Sequence, residues 1–124
     1  MTRQRRPISF IATSEPEMAE AFYRDVMGLK LAEASPYALA FADGDSTLRV
    51  QIVDDFKPAD FTAHGWQVSD IDAEVRDLSA KGVVFQTFVH LDQNEHGVWT
   101  SPSGARIAWF SDPSGNILSL TQYP

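Results

Sequence analysis

Few side chains of this sequence could do chemistry, and their spacing narrows what that chemistry is. There is no cysteine, so disulfides, cysteine–zinc sites and thiol nucleophiles are absent together. The histidines are His64, His90 and His96. The last two stand near Asp92 and Glu95 in a polar stretch, residues 91–97, whose composition predicts a solvated loop. No Ser-His-Asp, paired-carboxylate or phosphate-loop pattern rises above chance, and Gly97, Gly104 and Gly115 do not form a dinucleotide fingerprint. Arg49 is the most informative cation. It alternates with Leu48, Val50 and Ile52, so Arg49 and Gln51 point away from the apolar face of their strand. A guanidinium placed so can hold a carboxylate or phosphate through two parallel hydrogen bonds, or pair with a neighbouring acid. Trp99 lies in a loop-like stretch, residues 97–102, where no core explains it. Ligand stacking or a subunit interface would.

These residues must be positioned by regular elements, and the chain shows the same set twice. Residues 8–13 read as a strand. Ser14 and Glu17 have capping-box spacing, and Pro16 suits a first helical turn. Met18, Phe22 and Val26 recur every fourth residue on one helical face, and Gly28 is placed to end the helix. Strand-like runs follow at residues 29–34, 37–42 and 47–53, the last two joined by the hairpin signal Asp43-Gly44-Asp45. The order then repeats. Residues 62–68 form a strand, Ser69-Asp70 starts a second helix carrying Ile71, Val75 and Leu78, and Gly82 stops it. Residues 83–89, 106–111 and 117–122 supply three more strands. Ser14 and Ser69 lie 55 residues apart, and Gly28 and Gly82 lie 54 apart. Two βαβββ units are expected, residues 8–53 and 62–122, joined by a linker at 54–61, in a single domain spanning 1–124. One helix covers one sheet face only. The predicted class is therefore α+β: paired units forming a curved eight-stranded mixed sheet, helices outside and a concave cleft inside.

Composition limits the partners. With 44% apolar and 22% charged residues, the chain resembles an ordinary globular domain, which argues against disorder. Its formal charge of −7 disfavours nucleic acid, whose binders need a basic face to neutralise phosphates. No apolar run is long enough for a transmembrane helix or a signal-peptide core, so a cytoplasmic location with no membrane partner is the expectation. The basic start, Met1 to Arg6, reads as a solvated tail.

The run Ala21-Phe22-Tyr23-Arg24-Asp25-Val26-Met27-Gly28-Leu29 resembles the helix end typical of the vicinal oxygen chelate superfamily. That superfamily includes glyoxalases, bleomycin-resistance proteins, extradiol dioxygenases, fosfomycin-resistance enzymes and methylmalonyl-CoA epimerases. Trp109-Phe110-Ser111-Asp112-Pro113-Ser114-Gly115-Asn116 resembles its turn before the last strand. Locally that turn has a structural reading, since Pro fixes φ and Gly permits positive φ. The resemblance implies a divalent metal held on strand residues, at positions that fall here on Ile8, Ala63 and Ser119. Ile and Ala have no donor atom and Ser is a poor ligand, so the metal triad is missing and no cofactor is expected. His64 beside Ala63 points to the opposite, helix-covered face by strand alternation, unless a β-bulge re-aims it. Nothing in the sequence signals such a bulge.

If Ile8, Ala63 and Ser119 face the cleft, then Phe10, Gly65, Gln67, Ile117 and Thr121 share that face. Tyr37, Trp66, Phe88, Trp99, Trp109 and Phe110 supply aromatic surface nearby, with Trp66 and Phe110 assigned to the core. The expected ligand-binding residues are Phe10, Arg49, Gln51, Gln67, Trp99, Ser119 and Thr121. The expected function is that of a glyoxalase- or bleomycin-resistance-like protein that binds a small amphipathic organic molecule, with metal-independent catalysis open. The alternative is a metal-dependent lyase or dioxygenase. A two-fold homodimer is expected, with the Trp99 loop near the interface or cleft rim.

Overall fold

A computed structural model of the protein describes residues 3–124. The chain forms two compact units, one ending at Pro58 and the other running from Ala59 to Pro124. Each has the order βαβββ. The first contains β1 (Ile8–Thr13), α1 (Pro16–Ala21) continuing into a π-helical turn (Phe22–Val26), β2 (Lys30–Ala34), β3 (Ala38–Asp43) and β4 (Ser46–Ile52). The second contains β5 (Thr62–Gln67), α2 (Ile71–Ala80), β6 (Trp99–Thr100), β7 (Arg106–Ser111) and β8 (Ile117–Gln122). The sheets have matching four-stranded orders, β1-β4-β3-β2 and β5-β8-β7-β6. In both, the first strand runs parallel to the last, and the remaining pairs are antiparallel. The repeat expected from the punctuation of the sequence is thus a repeat of topology.

In the first unit, alternation along β4 buries Leu48 and Val50 while Arg49 stays half-exposed. Tyr23 and Phe41 are fully buried with ring centroids 5.6 Å apart, which ties the π-helical turn to the sheet. Burying aromatic side chains of this size stabilises the fold by roughly 2–3 kcal/mol each. The turn is π-helical because Met27 N–H donates to Phe22 O at 3.0 Å, five residues back. Gly28, at φ +73°, then lets Leu29 N–H reach Tyr23 O. The expected Ser14–Glu17 capping box does not form. Glu15 is the cap residue, without a side-chain bond of its own, and its N–H is taken by Thr13 Oγ1 at 2.9 Å. Between β3 and β4, Gly44 has φ +60° and Asp45 a negative φ, the pattern of a two-residue type II′ hairpin.

In the second unit Asp70 caps α2 by accepting from Ala73 N–H, and Ile71, Val75 and Leu78 are buried. The helix packs on β7 and β8, whose buried apolar side chains are Ala108, Phe110, Leu118 and Leu120. Arg106 on β7 grips Asp72 of this helix with two bonds of 2.8 and 2.9 Å. Those bonds hold the Asp72 carboxyl below its ordinary range.

Two expectations for this unit are corrected. Residues 83–89 are not a strand: they reach the sheet through Gln86 N–H, which donates to Trp109 O at 2.8 Å. The side chain of Gln93 occupies the place of a neighbouring strand. Its Oε1 accepts from Phe88 N–H at 2.7 Å, and its Nε2 donates to the carbonyls of Gln86 (2.9 Å) and Gly97 (2.8 Å). With its polar groups met by a side chain, this backbone needs no continuous ladder. Trp99, in turn, is not in a loop. It lies on β6 and pairs with Ile107.

Asp112 before β8 is buried, and its carboxylate organises the turn. Oδ1 accepts from the backbone N–H groups of Ser114 and Asn116 at 2.9 Å each, and Oδ2 accepts from Asn116 Nδ2 at 2.8 Å. The structural reading of this segment follows from these bonds. Substituting Asp112→Ala leaves those donors unmet and is expected to cost about 3 kcal/mol, lowering the thermal midpoint by roughly 10 °C. Asp112→Asn keeps an acceptor at Oδ1 and should lose about half as much. Chemical denaturation of the three proteins measures both differences.

Candidate functional site

The helix-free face of each sheet collects the residues expected to bind a ligand. In the first unit, Phe10 of β1 stands opposite Arg49 of β4, which stands opposite Ala40 of β3. The next row is Ala12, Gln51 and Ala38. The alanines leave the larger side chains as the relief of this face, and Ile8 and Phe10 are 54% and 57% exposed. Among the described residues, the Arg49 guanidinium makes no ion pair and no hydrogen bond, and the Gln51 amide is likewise unbonded. An ion-paired structural arginine is the competing explanation of Arg49, and its geometry is absent.

In the second unit the central row is Gly65, Ser119 and Trp109, and the adjoining row is Gln67, Thr121 and Ile107, with Trp99 beyond Ile107. Ser119 Oγ overhangs Gly65, where an added Cβ would lie only 2.5 Å from it. The side-chain polar groups of Gln67, Ser119 and Thr121 have no partner among the described residues. Phe10, Arg49 and Gln51 therefore share one sheet face, and Gln67, Trp99, Ser119 and Thr121 share another.

The register of β5 holds a feature without a sequence signal. Thr62 pairs with Ile117 and His64 with Leu118, so Ala63 is an extra residue at a bulge. The bulge does not turn His64 toward Ser119. His64 lies on the face of Leu118 and packs edge-on against Trp66, ring centroids 4.7 Å apart, as strand alternation predicts.

Beside the central row of this unit is a cavity of about 330 Å³, lined by Asp60, Phe61, Thr62, Phe88, His90, Leu91, Trp109 and Ile117. Phe88 and Trp109 meet edge-to-face at 5.4 Å and form an apolar corner. Of the lining, Phe88, Trp109 and Ile117 were expected near the cleft, and Asp60, Phe61, Thr62, His90 and Leu91 were not. Phe61 lies just before β5 in the presumed linker, and its 70% exposure is its signal in the structure. His90 and Leu91 are brought to the cavity by the segment that Gln93 pins, a fold no periodicity announces.

The positions that the vicinal oxygen chelate pattern assigns to a metal do not fit one. Ile8 and Ala63 present only carbon, and Ser119 offers a single neutral hydroxyl. Among the described residues, no group of three or more His, Cys, Asp or Glu side chains is arranged to hold a metal ion. No chemical step is derived through such a group.

With this geometry in place, the sequence places the protein among known ones. Residues 8–120 match the Glyoxalase/Bleomycin resistance protein/Dioxygenase superfamily, and the chain belongs to it. Solved structures share its fold. Lactoylglutathione lyase from Agrobacterium tumefaciens superposes with a TM-score of 0.73 at 21% identity, over 93% of this chain and 90% of the other. A glyoxalase/bleomycin resistance protein/dioxygenase from Alicyclobacillus acidocaldarius gives 0.73 at 20% identity, over 96% and 91%. TnmS3, an antibiotic binding protein from Streptomyces sp. CB03234, gives 0.74 at 25% identity, over 100% and 99%. No curated protein matches the chain. The helices described are too short and too polar to cross a membrane.

The donor set makes a direct prediction. Purified protein, freed of any affinity tag, should carry well under one equivalent of divalent metal per chain by elemental analysis. One tightly held metal per chain would return His64 to consideration as a ligand.

Proposed function

We propose that this protein is a binding member of its superfamily, taking a small amphipathic organic molecule that carries a carboxylate or phenolate, without a metal. The observation that carries the reading is Arg49: a half-buried arginine with no partner among the described residues, on an open sheet face beside exposed Phe10. An unpaired cation next to apolar surface favours an anionic group on a hydrophobic or planar body. Gln51 in the next row, and Gln67, Ser119 and Thr121 with Trp99 on the second sheet, offer neutral hydrogen bonds and stacking surface of the kind small-molecule sites use. The likeness to an antibiotic binding protein supports ligand capture. No residue is assigned a catalytic role. The alternative, a metal-dependent lyase or dioxygenase, needs donors at Ile8, Ala63 and Ser119 that only a serine begins to supply.

The same proposal includes pairing of two copies. Edge strands and exposed apolar side chains such as Ile8, Phe10 and Phe61 are surfaces that association would cover. Sedimentation at micromolar concentration should find a dimer, and a monomer would count against it. For the ligand, thermal-shift screening of aromatic acids should find binders, and Arg49→Ala should weaken them about tenfold by removing a charge-assisted contact. If binders appear and the substitution leaves their affinity unchanged, Arg49 does not hold the anion.

A further inference from the structure

The second sheet carries a polar group whose position the fold leaves unexplained. Ser119 is only 9% exposed, yet its hydroxyl has no hydrogen-bond partner among the described residues. Buried hydroxyls are ordinarily bonded, because leaving one unmet away from water is costly. No fully enclosed side-chain polar atom among the described residues lacks a partner, so the Ser119 Oγ must be reached from the open face. What keeps it open is Gly65, since any Cβ there would collide with Oγ. Trp109, the cross-strand partner of Ser119, is also a wall of the cavity, and Ile117, two residues earlier on the same face, is another. Ser119 therefore stands directly beside Trp109 in one row, about 5 Å across the strands, and one row, about 7 Å, beyond Ile117.

We propose that Ser119 is the hydrogen-bonding anchor for the neutral hydroxy- or keto-aromatic end of a planar ring system seated in this cavity. The inference rests on the reading of the protein as a small-molecule binder and specifies what enters its second sheet. A fused two-ring body stacked in the Phe88–Trp109 corner spans the row from Ile117, the cavity wall, to Ser119 just beyond the lining, and the cavity of about 330 Å³ is of matching size. The end that meets Ser119 is neutral. The cavity lining holds the carboxylate of Asp60 and no Lys or Arg, and Arg106 of the same unit is engaged with Asp72. An anionic substituent would find no cation in the cavity lining and only a neutral hydroxyl at Ser119. A phenol or ketone would exchange one hydrogen bond with Oγ and lose little hydration.

The test is calorimetric titration of the full chain and of Ser119→Ala with 2-naphthol, 2-naphthoate and naphthalene. The expected result is that 2-naphthol binds the unmodified protein, and that Ser119→Ala leaves the affinity of 2-naphthoate, held through Arg49, unchanged. In the variant the affinity of 2-naphthol should fall about fivefold, the scale of one neutral hydrogen bond, while naphthalene is unaffected. Ser119→Ala should leave the thermal midpoint unchanged or slightly raised, because the hydroxyl makes no bond to the other described residues. Equal 2-naphthol affinity in the two proteins overturns the inference, as does an equal loss for naphthalene, which would mark a packing effect. Should 2-naphthol fail to bind while aromatic acids still bind through Arg49, this anchor is wrong and the broader function stands. Failure of every aromatic probe, acids included, overturns both.

Discussion

In each unit the parallel pairing of the first strand with the last decides where every other side chain points. A strand shows alternate residues to opposite faces, so shifting β1 against β4 by one residue would send Phe10 to the helix side and bring Ile11 out. The register that prevents this is set by burial. Ile11, Leu48, Val50 and Phe41 lie on one face, and moving any of these strands by one residue would expose its share of them. The same holds for β8, where Leu118 and Leu120 bury beside Ala108 and Phe110, leaving Ser119 between them on the other side. The residues proposed to bind a ligand are in place because the residues between them are committed to a core.

That constraint explains how much could be read from the sequence. The doubled βαβββ order was legible because glycine and cap residues recur at nearly constant separation, and because apolar periodicity switches between four and two at the right places. Arg49 and Gln51 were placed correctly on their face by alternation alone, as was His64 on the opposite face. What escaped depends on contacts distant in sequence or on small local irregularities. A π-helical turn differs from an α-helix by one extra residue, which a Met18, Phe22, Val26 pattern does not resolve. The bulge at Ala63 comes from pairing with β8, not from any residue that favours bulging.

The segment after α2 is the clearest example. Residues 83–89 have the composition of a strand, and only the carboxamide of Gln93 turns them into something else. That side chain satisfies backbone groups of Gln86, Phe88 and Gly97 at once, and so fixes a stretch that regular pairing does not hold. Phe88 and His90 reach their cavity through this arrangement, and β6 pairs with β7 where the apolar run was expected to lie. Half of the candidate site is thus built on regular alternation and half on one glutamine.

The close approach of Ser119 to Gly65 has an evolutionary consequence. Residues on neighbouring strands that compete for the same space cannot drift independently. While position 119 carries any side chain with a γ atom in this rotamer, position 65 is confined to glycine. Conversely, a shorter or rotated side chain at 119 removes only part of the obstacle to a larger residue at 65, because the Ser119 carbonyl oxygen also lies 3.0 Å from an added Cβ. The pair forms an epistatic lock. Descendants of this sequence that change the chemistry of position 119 can lengthen its side chain across the open backbone of Gly65, but they lose that route once position 65 has gained a methyl group.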